Sequence, residues 1–136
     1  MLKLLPVFAF TCCLLTVASP AWAIKPFQDS FKSVYAGDDA SEEFKTLVGD
    51  AKCNVCHVEK EDKKKVRNVY GQALQKALEK DEFPIAEFKK DQAKYADRLK
   101  EIFKKVEGEA SSDEAHKTFG DRIKAKLLPG GDKDGK

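Results

Sequence analysis

The sequence is short of the residues on which metal and redox chemistry most often draws. Methionine and tryptophan occur once each, as Met1 and Trp22, and histidine occurs only as His57 and His116. Cysteine is confined to positions 12, 13, 53 and 56. Beyond residue 23 no methionine remains, so no thioether sulfur is available there as a metal ligand. Glycine and proline number 8 and 5 in 136 residues, which excludes a collagen-like or loop-dominated architecture. Charge of one sign is also lacking. Lys and Arg total 25 against 23 Asp and Glu, a formal net charge of +2. That leaves no basic field of the kind nucleic-acid binders use, so nucleic acid is not an expected partner. With 42% hydrophobic residues and balanced charge, the chain is not disordered throughout, and its length allows one domain with one modest core.

Only one long apolar run is present. Met1 to Lys3 gives a short positive start, Leu4 to Ala18 is apolar or nearly so, and Ser19-Pro20 breaks the run. Ala21, Trp22 and Ala23 then put small residues at the two positions a signal peptidase reads. Residues 1–23 are therefore expected to be a secretory signal peptide, too short in its apolar part for an uncleaved bilayer span. A periplasmic or secreted protein follows, with no membrane span after cleavage. Cys12 and Cys13 lie inside the apolar run, and the Phe10-Thr11 pair before them is a poor lipoprotein cleavage box.

The remainder reads as helices, and the expected fold class is all-α. Asp39 to Glu42 has capping-box form, with Phe44, Leu47 and Val48 following at helical spacing until Gly49. Val66, Val69, Tyr70, Ala73, Leu74, Ala77 and Leu78 step by three and four. Pro84 opens a stretch in which Phe88, Tyr95, Leu99, Ile102, Phe103 and Val106 line one side, and Gly108 ends it. Ser111 to Glu114 again has capping-box form. His116, Phe119, Ile123 and Leu127 follow in register until Pro129-Gly130-Gly131. No segment alternates long enough for a strand. Residues 24–38 read as an N-terminal arm with Phe27, Phe31 and Tyr35 as anchors, 39–130 as the domain, and 131–136 as a flexible tail.

The chemistry-bearing motif is Cys53-Asn54-Val55-Cys56-His57, the attachment signature of c-type haem. The spacing has a chemical reason. Both thiols add to the two vinyl groups of one porphyrin edge, and the next residue projects its imidazole to the iron from the same side. Cys53 and Cys56 would carry the thioethers and His57 the proximal ligand of one covalent haem c. Three rival readings are weaker. A disulfide across two intervening residues closes a tiny loop and stabilises little. A thioredoxin-type pair belongs near a βαβ pattern, which is missing. Zinc on Cys53, Cys56, His57 and His116 has the wrong finger spacing, with Cys and His awkwardly adjacent. The haem reading also agrees with the export signal, because bacterial haem attachment happens outside the cytoplasm.

On these residues the chain resembles small exported bacterial monohaem c-type cytochromes. The motif comes early, as in class I cytochromes c; the cytochromes c′ carry theirs near the C-terminus. The stretches Arg67 to Gly71, Thr118 to Gly120 and Leu128-Pro129 also resemble elements of short haem domains in planctomycete-type secreted proteins. The resemblance implies about four helices around one haem, electron transfer rather than enzymatic turnover, a redox partner protein it does not identify, and a monomer. The chain departs from the family at the sixth iron ligand, where class I members usually place a methionine. His116, expected to face inward and lying where the family's distal loop falls, is the candidate replacement. The alternatives are Lys117, a tyrosine, or an open site, and an open site would make the protein a binder or sensor of CO, NO or O2.

Further candidates surround the motif. Arg67 suits a haem propionate, and Asn68 and Tyr70 are candidate haem-pocket contacts, though Tyr70 also lies on the apolar stripe. Glu59 to Lys65 is a charge run that either frames a docking surface for an acidic partner or is a solvated loop.

Overall fold

The computed structural model describes residues 25–59 and 66–136. The signal-peptide segment and residues 60–65 of the charge run lie outside the described residues. Six α-helices and one 3₁₀ turn make up the described chain: α1 (Lys25–Tyr35), α2 (Glu42–Ala51), the turn (Lys52–Val55), α3 (Val69–Lys80), α4 (Ile85–Lys90), α5 (Gln92–Glu107) and α6 (Phe119–Lys124). Among the described residues there is no strand, only the isolated bridges His57–Arg67 and Ala110–Thr118. The fold is all-α, with six helices where about four were expected. No described helix is long and apolar enough to cross a membrane.

Helix α5 is the hub. Leu99, Ile102, Phe103 and Val106 recur by three and four, so they form one stripe, and all are buried. Helices α1, α3, α4 and α6 pack against it.

Where the sequence reads as an arm, the structure has the regular helix α1. Phe27, Phe31 and Tyr35 are four residues apart and so share its inner face. Phe31 is buried edge-on against Tyr70 (5.8 Å between ring centroids) and Phe103 (6.0 Å), and Phe27 stacks on Phe88 at 5.3 Å. Tyr35 donates its hydroxyl to Glu107 Oε1 at 2.6 Å, which fixes the end of α1 to the end of α5. Burial of three rings against α5 and its neighbours supplies what local propensity in this short helix does not.

The helix ends also differ from expectation, and each difference is a capping choice. The N-cap of α2 is Ser41, whose Oγ accepts from Phe44 N at 3.4 Å, two residues beyond Asp39; Glu42 and Glu43 then complement the helix dipole. The helix runs through Gly49 to Ala51. The long stretch from Pro84 breaks at Asp91, whose carboxylate accepts from Lys94 N at 3.2 Å and starts α5. Near the end of the fold, Ser111 is not a cap. Its Oγ accepts from Asp113 N, while Ser111 N donates to Lys117 O and Phe119 N to Glu109 O, closing a loop over 110–118. The helix begins only at Thr118, where Thr118 and Asp121 form a reciprocal capping box (3.1 and 3.2 Å). Short polar side chains that bond their own backbone favour such loops over helix. His116 is therefore not on a helix face with Phe119 and Ile123.

Candidate functional site

The 3₁₀ turn shapes the Cys53–His57 segment. It is entered through Lys52, which has φ 51, an uncommon conformation for a non-glycine residue. Cys53 O accepts from both Cys56 N (3.2 Å) and His57 N (3.1 Å). Cys53 lies within this turn and Cys56 caps it, close enough for Cys53 to act electrostatically on the Cys56 thiol. Both are free thiols and half-buried. Burial pushes the Cys56 thiol from an ordinary 9.0 up to about 12, with Cys53 adding to the rise and the Arg67 guanidinium opposing it.

His57 is 4% exposed, and its Nδ1 lies 2.9 Å from Val66 O. A carbonyl oxygen only accepts, so Nδ1 carries the proton and the lone pair of the neutral ring is on Nε2. Metal-bound imidazoles are commonly oriented in this way, by a backbone carbonyl on the other nitrogen. The bridge from His57 to Arg67 places Val66 there, as the chain returns beside the motif.

Asn68 then ties this return to the turn. Its Oδ1 accepts from Gly71 N (2.9 Å) and caps α3, while its Nδ2 donates to Asn54 O (3.0 Å) and Val55 O (3.1 Å). Asn68 N also donates to Cys56 O at 3.1 Å. Gly71 makes the closest approach. A Cβ there would lie 2.0 Å from Cys56 O and 2.9 Å from Cys56 C, both backbone atoms. Gly71→Ala is expected to push α3 off the turn at a cost of about 3 kcal/mol, which lowers the melting temperature by roughly 10–20 °C. A variant that melts with the parent would show that α3 withdraws freely.

Arg67, Asn68 and Tyr70 are thus all brought to the motif. Asn68 holds its backbone, and Arg67 and Tyr70 act electrostatically on or with Cys56. Tyr70 is fully buried, and its hydroxyl has no hydrogen-bond partner. Burial chiefly holds that phenol well above its usual range, with Cys56, Tyr35 and Glu107 adding to it. Its ring meets Phe119 edge-on at 5.3 Å.

His116 lies in the 110–118 loop, half-buried, with Nδ1 3.0 Å from Asp113 Oδ2. Arg122 binds the same carboxylate oxygen. The His116 hydrogen bond first, then Ala115 N–H and the Arg122 charge, hold the Asp113 carboxyl below its usual range. Among the described residues no group of three or more His, Cys, Asp and Glu side chains is gathered to hold a bare metal ion, so the zinc set of Cys53, Cys56, His57 and His116 is not assembled.

The sequence reading missed the 131–136 segment. It is folded against the motif: Asn54 Nδ2 donates to Lys133 O (3.2 Å), and Glu59 N donates to Asp134 O (2.7 Å). Gly131 and Gly135 have φ of 143 and 77, and together with Asp132 they were the available signal for an ordered turn. Arg122 was also missed; its Nε and Nη2 donate to Leu128 O (2.7 Å) and Gly131 O (2.9 Å).

No family model, no curated protein and no solved structure matches the chain.

Proposed function

We propose that this protein is an exported monohaem c-type cytochrome, an electron carrier rather than an enzyme. In this reading Cys53 and Cys56 hold one haem c through thioethers and His57 is its proximal ligand. The observation that carries the reading is the Cys53–His57 turn itself, with two free, half-buried thiols three residues apart and His57 Nδ1 bonded to Val66 O. The donor set fits haem better than a bare ion, because haem asks only one of these side chains to bind metal.

The haem supplies a reversible one-electron change at its iron; the chain supplies orientation and environment. The Val66 carbonyl keeps the proton on His57 Nδ1. Asn68 and Gly71 hold the turn against α3, and Val55, Tyr70 and Phe119 exclude water around it. A buried Tyr70 hydroxyl without a partner next to Cys56 is also suited to a polar edge of a bound group. The docking partner is a redox protein, reached outside the cytoplasm, and the chain acts as a monomer.

The sixth position separates two readings. The Asp113–His116 pair supports a second imidazole ligand, since a carboxylate on Nδ1 is how such rings are commonly held. That His116 sits in a loop with about 30% of its side chain exposed favours the other, an open iron that binds CO, NO or O2.

The test is expression in a haem-maturing periplasm followed by denaturing purification. Visible haem bands are expected to persist in the parent and to be lost completely in the Cys53→Ser, Cys56→Ser double variant. A colourless parent would end the cytochrome reading. With haem present, a reduced spectrum unchanged by CO, and altered by His116→Ala, assigns His116 to the iron. A prompt CO shift in the parent assigns the open site.

A further inference from the structure

Beyond residue 23 the chain has neither methionine nor tryptophan. The side chains there that give up one electron most readily are therefore Tyr35, Tyr70 and Tyr95, with the thiols of Cys53 and Cys56. The three phenols sit in different settings. Loss of an electron turns a phenol into a strong acid, so its oxidation is eased by a base positioned to take the proton.

Tyr70 has no such base. It is fully buried, and its hydroxyl has no hydrogen-bond partner. Tyr95, half-buried in the first turn of α5, packs edge-on against Phe83 at 6.0 Å, with Lys94 Nζ 5.3 Å from its ring centroid. Among the described residues its hydroxyl makes no hydrogen bond.

Tyr35 differs from both. It is half-buried, and its hydroxyl donates to Glu107 Oε1 at 2.6 Å, within the short range of a bond from a hydroxyl to a carboxylate. Lys104 Nζ donates to the same oxygen at 2.7 Å and lies 5.1 Å from the Tyr35 ring centroid, so the carboxylate is held from a second side. Inward, the Phe31 ring lies 4.8 Å from that of Tyr35 and 5.8 Å from that of Tyr70. Tyr70 in turn interacts electrostatically with Cys56. Tyr35 is the outer end of a line of oxidisable groups that begins at the motif.

We propose that Tyr35 and Glu107 form a redox-active pair that takes up one-electron oxidising equivalents from radical oxidants. The oxidant gains one electron from Tyr35. The phenol O–H bond breaks as an O–H bond forms on Glu107 Oε1, leaving a neutral phenoxyl radical beside a carboxylic acid. The pair goes beyond the cytochrome reading and does not depend on it.

The test uses the haem-free, reduced full chain, so it reads out whether or not the cytochrome reading holds. Azide radicals made by pulse radiolysis oxidise the chain at neutral pH, and a nitroso spin trap marks phenoxyl radicals for peptide mass spectrometry. Tyr95 is the internal reference, since it is also half-buried and lacks the base. Marking of Tyr35 is expected to exceed that of Tyr95 about tenfold or more. In Glu107→Gln the amide oxygen still accepts the hydrogen bond but is too weak a base to take the proton, so the excess should vanish. Phenoxyl formation should slow in D2O in the parent, and not in Glu107→Gln or Tyr35→Phe. Equal marking of Tyr35 and Tyr95 in the parent would overturn the pair. So would an excess that survives in Glu107→Gln, which would trace it to exposure alone. Should Glu107→Gln fail to fold, the isotope effect in the parent and its loss in Tyr35→Phe decide.

Discussion

Asn68→Ala is expected to cost about 3–6 kcal/mol and to lower the melting temperature of the chain by roughly 15–30 °C. The size follows from the number of groups it strands. Asn68 is 5% exposed, and its side chain serves Asn54 O, Val55 O and Gly71 N at 3.0, 3.1 and 2.9 Å. Alanine can make none of these bonds. Two carbonyls in a buried turn and one amide in a buried helix start then lose their partners, at about 1–2 kcal/mol each. Domains of this kind have only about 5–15 kcal/mol in total. Asn68→Ser divides the effect. Its hydroxyl still accepts from Gly71 N, so it should recover the capping share of about 1 kcal/mol and not the rest. The measurement is thermal unfolding by circular dichroism, with the His57 ring signals followed by NMR at 25 °C. A loss under about 1 kcal/mol in Asn68→Ala would mean that the turn holds its shape without Asn68.

The same residue shows how far the sequence could be read. The Cys53–His57 motif and the apolar stripes of α3 and α5 were legible because they are local, set by spacing over one or two turns. Asn68 was legible as a neighbour of the motif, but its roles as cap of α3 and donor to the turn depend on the chain doubling back, which the His57–Arg67 bridge accomplishes. The packing of residues 131–136 against the motif was less legible still. Asn54 and Lys133 are 79 residues apart, and no pattern within a short polar glycine-rich stretch says that its carbonyl will meet a distant side-chain amide. Helix ends were misjudged where two caps competed. Ser111 to Glu114 and Thr118 to Asp121 both fit the pattern, and only the latter forms the reciprocal pair. That choice moved His116 from a helix face to a loop beside Asp113. Three aromatics at helical spacing made α1 readable in principle, but an eleven-residue helix gains its stability from the α5 surface it covers.

Alkali is expected to destabilise the haem-free chain more steeply than an ordinary helical domain, beginning near pH 9. The Cys56 thiol keeps its proton to about 12 in the folded state, whereas the unfolded chain releases it near 9.0. Between those values the unfolded state binds fewer protons, so stability falls with rising pH, by about 1.4 kcal/mol per unit for one group. Above pH 10 the buried Tyr70 phenol adds a second such group, and Tyr35 a third, because burial and then Glu107 hold its phenol up as well. Urea unfolding at pH 8, 9, 10 and 11 measures the profile. Cys56→Ala should flatten the step from pH 9 to 10 while leaving the tyrosine steps in place. Tyr70→Phe should remove one step above pH 10 and also gain about 1 kcal/mol at neutral pH, because it deletes a buried hydroxyl that has no partner. A parent profile that is flat from pH 9 to 10 would mean that the Cys56 sulfur is in contact with solvent. Were Cys56 joined to haem as a thioether, as proposed, its sulfur would have no proton to lose, and the profile should lack the Cys56 step and retain those of the tyrosines.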